Sequence, residues 1–173
     1  MEELSIREAE VGDASGVYEV MQEVGYAKFL GGDTPEEKKK SVIAQFIANK
    51  PVRIFVATLP GVGTERIIGY SIIAPAWLCN LSLPERFSRD GYAYSKGVGV
   101  FKEFQRKGVG LALAIHTAQQ AKSEGYNGMY TDAGTNNPAS IAFQGDLGLH
   151  ELARVPDPKR AAGIFSVLFL IEF

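Results

Sequence analysis

The fold is decided by the stretch Val98-Gly99-Val100-Phe101-Lys102-Glu103-Phe104-Gln105-Arg106-Lys107-Gly108-Val109-Gly110-Leu111. A β-type run over residues 92–100 leads into it, and helical periodicity follows from the two glycines to about Glu124. Glycine lets a backbone approach a ligand closely, and the first N–H groups of a helix have no intrahelical partner, so they can bind an anion. Donors and positive charge precede the glycines at Gln105, Arg106 and Lys107. The stretch therefore predicts a phosphate-binding turn.

Two common glycine-rich phosphate sites do not fit this turn. A dinucleotide-binding fingerprint needs a small residue three positions after Gly110, where Leu113 stands. A nucleotide P-loop needs Gly-Lys followed by Ser or Thr, and neither glycine is followed by that sequence. A nucleotide-binding protein is therefore disfavoured, and magnesium-dependent binding of ATP would be needed to revive that interpretation.

The run Gln105-Arg106-Lys107-Gly108-Val109-Gly110 resembles the acetyl-CoA motif Gln/Arg-x-x-Gly-x-Gly/Ala of the GCN5-related N-acetyltransferase (GNAT) superfamily. In that family the motif lies between strand four and helix three. Downstream, Asn137-Pro138-Ala139-Ser140-Ile141-Ala142-Phe143, followed by Leu147-Gly148-Leu149, resembles the family's second motif, in which an asparagine opens a helix. The two motifs stand in the family's order. The resemblance covers residues 92–150 and is compatible with the rest of the chain.

The resemblance implies acetyl-CoA as the cosubstrate. In the family, strands four and five splay apart near their ends and the pantetheine arm lies in the gap, where it pairs with backbone groups as another strand would. Backbone N–H groups of the glycine turn hold the pyrophosphate. The residues expected at the cofactor are Val98, Val100, Gln105, Arg106, Lys107, Gly108, Val109, Gly110, Leu111, Asn137, Ser140 and Phe143.

Attack of an amine on a thioester requires a neutral amine, a stabilised oxyanion and a proton for the departing sulfur. The family often supplies that proton from a tyrosine in the second motif, but Gln144 occupies this position here. The candidates to replace it are Tyr94, Tyr130 and Asp132, although the tyrosines also suit the edge of a core and the aspartate suits a solvated strand end. If none of them acts, water is the remaining donor.

Other polar residues are weaker candidates for the chemistry. His116 falls within a helix and His150 follows the second motif, and both are expected to be packing or surface residues. Acidic side chains that could hold a cationic acceptor are Glu23, Asp33, Glu36, Glu85 and Asp90, but a solvated surface role suits each of them as well.

Apolar periodicity predicts one α/β domain over residues 1–173. Its sheet is mixed and mainly antiparallel, with about seven strands and flanking helices. The predicted strands cover residues 4–7, 51–59, 66–74, 92–100, 128–132, 150–154 and 163–173. Helices are expected from Asp13, with an apolar stripe at Val17, Val20, Met21 and Val24, from Thr34 to Asn49, from the glycine turn and from Asn137. Thr34 and Glu37 have the spacing of a capping box.

Composition limits the partners and the location. A net charge of −2 without a long basic run disfavours nucleic acid. The single cysteine, Cys79, cannot form an internal disulfide, and no cluster of Cys and His indicates a metal site. The N-terminus lacks the pattern of a signal peptide, and no apolar run approaches the ~20 residues that span a bilayer, so neither a membrane nor export is expected. A cytoplasmic protein is predicted.

The leading functional hypothesis is an N-acyltransferase that moves acetyl from acetyl-CoA to a primary amine of a small molecule, peptide or protein. A module that holds acetyl-CoA or CoA without turnover is the alternative, and Gln144 keeps it open. The acceptor is expected to be chosen by residues 25–33 and by the long connection over residues 75–91. The oligomeric state is left open, with a homodimer as one option.

Overall fold

The computed structural model describes residues 3–31, 33–61, 65–78, 83, 87–156 and 163–173. Seven strands and four α-helices follow the predicted order, with bounds that differ from the predicted ones by a few residues. The strands are β1 (Ser5–Glu8), β2 (Arg53–Leu59), β3 (Arg66–Pro75), β4 (Tyr92–Val100), β5 (Gly128–Gly134), β6 (His150–Pro156) and β7 (Phe165–Glu172). The helices are α1 (Ala14–Glu23), α2 (Glu36–Ala48), α3 (Val109–Ser123) and α4 (Pro138–Asp146).

The strands form one sheet in the order β1-β2-β3-β4-β5-β7-β6. β4 and β5 are parallel, whereas β1 with β2, β5 with β7, and β6 with β7 are antiparallel, so the predicted mixed, mainly antiparallel sheet is confirmed. The parallel register runs from Tyr92 opposite Gly128 to Ser95 opposite Thr131, while β4 continues to Val100. An early end to this pairing agrees with the predicted divergence of strands four and five.

The chain divides into two compact units, and β3, β4 and α3 contribute residues to both. The first unit consists of Met1–Ile72 and Gly97–Thr117. Its core contains the predicted stripe of α1, since Val17, Val20 and Met21 are buried and Val24 packs against them. The prediction of a single domain stays a prediction.

The second unit consists of Ile73–Lys96 and Ala118–Phe173. Its strands present two apolar faces, because successive side chains of a strand point to opposite sides. One face packs beneath α4 and contains Ala133, Leu149, Val167 and Phe169, with Ile141 of α4 against them. The other face contains Ala76, Tyr94 and Tyr130, with Leu83, Phe87, Tyr92, Leu152 and Leu170 packed around them.

The predicted capping box at Thr34 and Glu37 is wrong. α2 begins at Glu36, Pro35 occupies the N-cap position with extended backbone, and no side chain caps the helix. Because Pro35 has a ψ of 149°, the helix begins one residue later than a cap at Thr34 would require. Its hydroxyl is buried without a hydrogen-bond partner.

Two further findings concern only the part of the chain that the structure describes. None of its helices combines the length and the apolar composition needed to cross a membrane. No three of its His, Cys, Asp or Glu side chains are grouped as the ligands of a metal ion would be.

Candidate functional site

The turn between β4 and α3 has the backbone of an anion site. Arg106 has a φ of 59° and Gly108 a φ of 85°, so positive φ alternates with the negative φ of Lys107 ahead of the helix. Such alternation turns successive N–H groups toward one concavity, and the open N-terminus of α3 adds its own N–H groups. Among the described residues, Arg106 is the one non-glycine residue with a positive φ, a conformation that is uncommon outside functional or strained sites.

Different features of the turn explain why glycine occupies positions 108 and 110. A Cβ on Gly108 would meet nothing within 4 Å, so its positive φ is what requires glycine. At Gly110 a Cβ would lie 3.7 Å from Val100 Cγ2 and 3.9 Å from Val98 Cγ1, which are ordinary packing distances. Packing within the protein therefore does not require glycine at position 110, which leaves the close approach of a ligand as the reason predicted from the sequence.

Gln105 holds the turn together. Its side-chain Nε2 donates a hydrogen bond to the backbone oxygen of Val100 at 2.9 Å, which ties the start of the turn to the end of β4. A direct contact between Gln105 and the cofactor stays a prediction.

The end of β4 offers backbone groups on the side away from β3. The N–H of Phe101 donates to the oxygen of Ile68 in β3 at 3.0 Å. Backbone groups of neighbouring residues in a strand face opposite sides, so those of Val98 and Val100 point away from β3. Between them, a Cβ on Gly99 would lie 2.4 Å from Tyr70 Cε1, so this position requires glycine for packing.

Two cations beside the turn lie close to the ring of Phe104. Lys107 Nζ lies 5.5 Å from the centre of the Phe104 ring, and the Arg66 guanidinium lies 5.2 Å from the same ring. Arg66 also forms an ion pair with Glu103 at 2.5 Å. The sequence analysis missed Arg66 because it precedes the turn by about 40 residues and belongs to no motif.

The second motif opens α4 as predicted. The Asn137 side chain accepts a hydrogen bond from the backbone N–H of Ser140 at 3.1 Å, and Pro138 occupies the first turn of the helix. Asn137 is therefore the cap and Ser140 is the capped residue. Gln144 is only 9% exposed within α4. Contacts of Asn137, Ser140 and Phe143 with a cofactor stay predictions.

The structure brings two of the three catalytic candidates together. The Tyr94 hydroxyl donates a hydrogen bond to Asp132 Oδ1. The hydroxyl of Ser166, in β7, donates to Asp132 Oδ2 at 3.0 Å. Asp132 thus receives one hydroxyl on each carboxylate oxygen. It lies two residues after Tyr130 on β5, hence on the face of the second unit that is opposite α4 and Gln144.

Tyr130 is separated from this arrangement. Its hydroxyl donates to the backbone oxygen of Ser88 at 2.9 Å, and burial raises the pKa of Tyr130, with Tyr92 and Glu172 adding to the effect. A phenol with a raised pKa is a poorer proton donor. Tyr94, unlike Tyr130, contacts the third candidate, Asp132, and a catalytic role for either tyrosine stays a prediction.

Ser166 was missed by the sequence analysis, which treated the last strand as a continuous apolar run. The signal was available, because Ser166 is a polar residue between Phe165 and Val167 in that run. A fully buried polar side chain in such a strand needs a hydrogen-bond partner, and this requirement points to a specific contact.

The remaining polar candidates have structural roles or stay untested. His116 packs edge-on against Phe55 with ring centres 4.9 Å apart, and burial, with Arg53 nearby, lowers its pKa, so the expectation of a packing residue is confirmed. Glu23 accepts the N–H of Lys102 at 2.6 Å. Glu36 pairs with Lys40 at 2.7 Å, and His150 is exposed at the start of β6. Cys79 and Glu85 lie outside the described residues.

Comparison with known structures supports the same fold. The chain is similar to a GCN5-related N-acetyltransferase from Kribbella flavida, with 18% identity, coverage of 98% of each chain and a TM-score of 0.72. It is also similar to Arabidopsis thaliana NAA60 in complex with acetyl-CoA, with 15% identity, 98% of each chain and a TM-score of 0.73. A third similar structure is the ribosomal-protein-S18-alanine N-acetyltransferase from Escherichia coli, with 17% identity, 98% of this chain, 94% of that chain and a TM-score of 0.69.

At the level of sequence, no curated protein matches the chain. Residues 19–148 match the acetyltransferase (GNAT) family. This match contains both motifs and the candidate residues Tyr94, Tyr130 and Asp132. The chain therefore belongs to the acetyltransferase (GNAT) family, which confirms the predicted class of enzyme, an acetyl-CoA-dependent N-acetyltransferase.

Proposed function

We propose that the protein acetylates a primary amine of a small molecule, peptide or protein, with Asp132 as the general base. The observation that carries this proposal is the pair of hydroxyl groups on the Asp132 carboxylate, one from Tyr94 and one from Ser166. Bonds to both oxygens fix the orientation of the carboxylate. An oriented, half-buried carboxylate in an acetyltransferase is suited to take a proton from an amine.

The chemistry gives Asp132 two tasks. An alkylamine has a pKa near ~10.4, so at neutral pH it arrives mainly as a cation, which a carboxylate attracts. The cation must lose one proton to solvent before its nitrogen can attack. Once the neutral amine attacks the thioester carbon, its lone pair is committed to the new C–N bond and the attached proton becomes acidic. Asp132 would take that proton as the C–S bond breaks and the CoA thiolate leaves. Tyr94 would orient the carboxylate through the bond to Oδ1.

The departing sulfur does not need a strong acid. A thiol titrates near ~8.5, by analogy with cysteine, so its thiolate is a tolerable leaving group that water can protonate. Gln144 is an amide and cannot supply a proton at neutral pH. The buried position of Gln144 in α4 is consistent with a packing role.

Cofactor binding is assigned to the main chain of the turn. Backbone N–H groups over residues 106–111 would hold the pyrophosphate, supported by the positive φ values of Arg106 and Gly108. Val98 and Val100 would pair with the pantetheine arm through backbone groups that point away from β3. Arg106 and Lys107 would add charge.

The class of acceptor amine is inferred from a similar structure. One similar structure is an N-acetyltransferase that acts on the alanine of a ribosomal protein, so protein N-termini belong among the acceptors to test. An α-amine titrates near ~7.7–8.0, so far more of it is neutral at pH 7 than of a lysine side chain. An N-terminal acceptor would therefore depend less on a base. The predicted cytoplasmic location and the option of a homodimer stay predictions.

The deciding experiment measures release of CoA thiol with acetyl-CoA and a panel of peptides, polyamines and small primary amines. Asp132→Asn should lower kcat/KM by about 10²–10⁴ with the best acceptor, while affinity for CoA stays within about twofold. Asp146→Asn, an exposed carboxylate of the same unit, is the matched control and should retain activity. CoA binding without thiol release for any acceptor would favour a non-catalytic module, and an active Asp132→Asn variant would refute the assignment of the base.

A further inference from the structure

Ser166 is the most deeply buried polar group that contacts the proposed base. Its side chain is fully buried, and its hydroxyl donates to Asp132 Oδ2 at 3.0 Å. On β7 it stands opposite Gly134 of β5 and Val155 of β6. Because it is buried between two strands, Ser166 is not placed to touch a substrate. Any influence on the reaction must pass through Asp132.

The two hydroxyl groups that donate hydrogen bonds to Asp132 come from different strands. Tyr94 donates to one carboxylate oxygen from β4 and Ser166 donates to the other from β7. Rotation of the carboxylate would break both bonds at once. A carboxylate held in this way keeps its remaining lone pairs in fixed directions, where an acceptor nitrogen can meet them.

We propose that Ser166 is a positioning residue that holds the Asp132 carboxylate oriented for proton transfer. The inference rests on the proposed role of Asp132 as the base. Loss of the hydroxyl removes the hydrogen bond to Oδ2. The carboxylate then loses one of the contacts that fix its direction, so proton transfer from the acceptor nitrogen slows.

The test compares steady-state kinetics of the wild type, Ser166→Ala and Ser166→Thr with one acceptor. In Ser166→Ala kcat should fall about tenfold, while the affinity for CoA stays within about twofold of the wild type. Ser166→Thr keeps the hydroxyl and should restore kcat, since Gly134 opposite it has no side chain to obstruct the added methyl group. Ser71→Ala, which removes another fully buried hydroxyl that bonds Thr117 at 2.7 Å, should leave kcat unchanged.

A double substitution separates this inference from the proposed function. If Ser166 acts through Asp132, Ser166→Ala lowers kcat of the wild type but has no further effect on the residual activity of Asp132→Asn. An unchanged kcat in Ser166→Ala, or an equal loss in both backgrounds, overturns the inference. Asp132→Asn decides the role of the base independently. If Asp132→Asn loses activity while Ser166→Ala retains the kcat of the wild type, Asp132 is the base and Ser166 does not position it.

Discussion

Gly110→Glu should abolish binding of CoA without unfolding the protein. Position 110 lies in the first turn of α3, and a Cβ there meets side chains of Val98 and Val100 only at 3.7–3.9 Å, so the apo protein accommodates a side chain. Glutamate is a better helix former than glycine by about 0.5–1 kcal/mol, and a negative charge in the first turn is favourable. We therefore expect an unchanged or raised melting temperature without ligand.

The expected loss of CoA affinity is much larger than the expected gain in the stability of the protein without ligand. A carboxylate that lay about 5 Å from a bound pyrophosphate would weaken binding by roughly 3 kcal/mol for each negative charge of the pyrophosphate, at an effective dielectric constant near 20. That is more than a hundredfold loss of affinity. The assay is the thermal shift with millimolar CoA, which stabilises the native state by mass action. Gly110→Gln has nearly the same size without the charge, and it separates steric from electrostatic loss. A folded Gly110→Glu variant with the full CoA shift would show that the phosphate is bound elsewhere.

Three further predictions test the chemistry and the stability. Gln144→Ala should retain turnover within about tenfold, because a neutral hydrogen bond contributes only about 0.5–1.5 kcal/mol, and a thousandfold loss in steady-state assays would restore this residue to the mechanism. Tyr94→Phe should lower kcat more than Tyr130→Phe, since only the former removes a hydroxyl from the proposed base, and equal losses would contradict that ordering. Asp13→Asn should lower the free energy of unfolding by about 2 kcal/mol at neutral pH, measured with urea, because Asp13 accepts hydrogen bonds from Arg7 at 2.6 and 3.1 Å. Burial alone would raise the pKa of Asp13, but hydrogen bonds from Arg7 and from a backbone N–H hold the pKa below its usual value. The difference in free energy of unfolding between wild type and variant should therefore shrink as the pH falls below about 4, and it should persist near neutrality.

Local patterns were sufficient for the architecture. Strand β4 was predicted with the bounds that it has, and the turn before α3 was predicted from Gly108 and Gly110 because glycine and helix-terminal N–H groups act through the nearby chain. The same locality explains the error at Thr34. A capping box is recognised from the spacing of two residues, but the extended backbone at Pro35 places the start of α2 at Glu36.

The sequence by itself determined the order of the strands and helices, the glycine turn before α3, the cap at Asn137 and membership of the family, since each of these is encoded within a few consecutive residues. Only the tertiary structure decided which polar groups meet. Tyr94 and Asp132 are 38 residues apart, and Asp132 and Ser166 are 34 apart. Their contacts depend on the register of β4, β5 and β7, and a shift of one residue in any strand would turn its side chains to the opposite face. Register is set by packing across the whole sheet, so the contact of Tyr94 with Asp132, and the presence of Ser166 beside Asp132, emerged only when the strands were placed side by side.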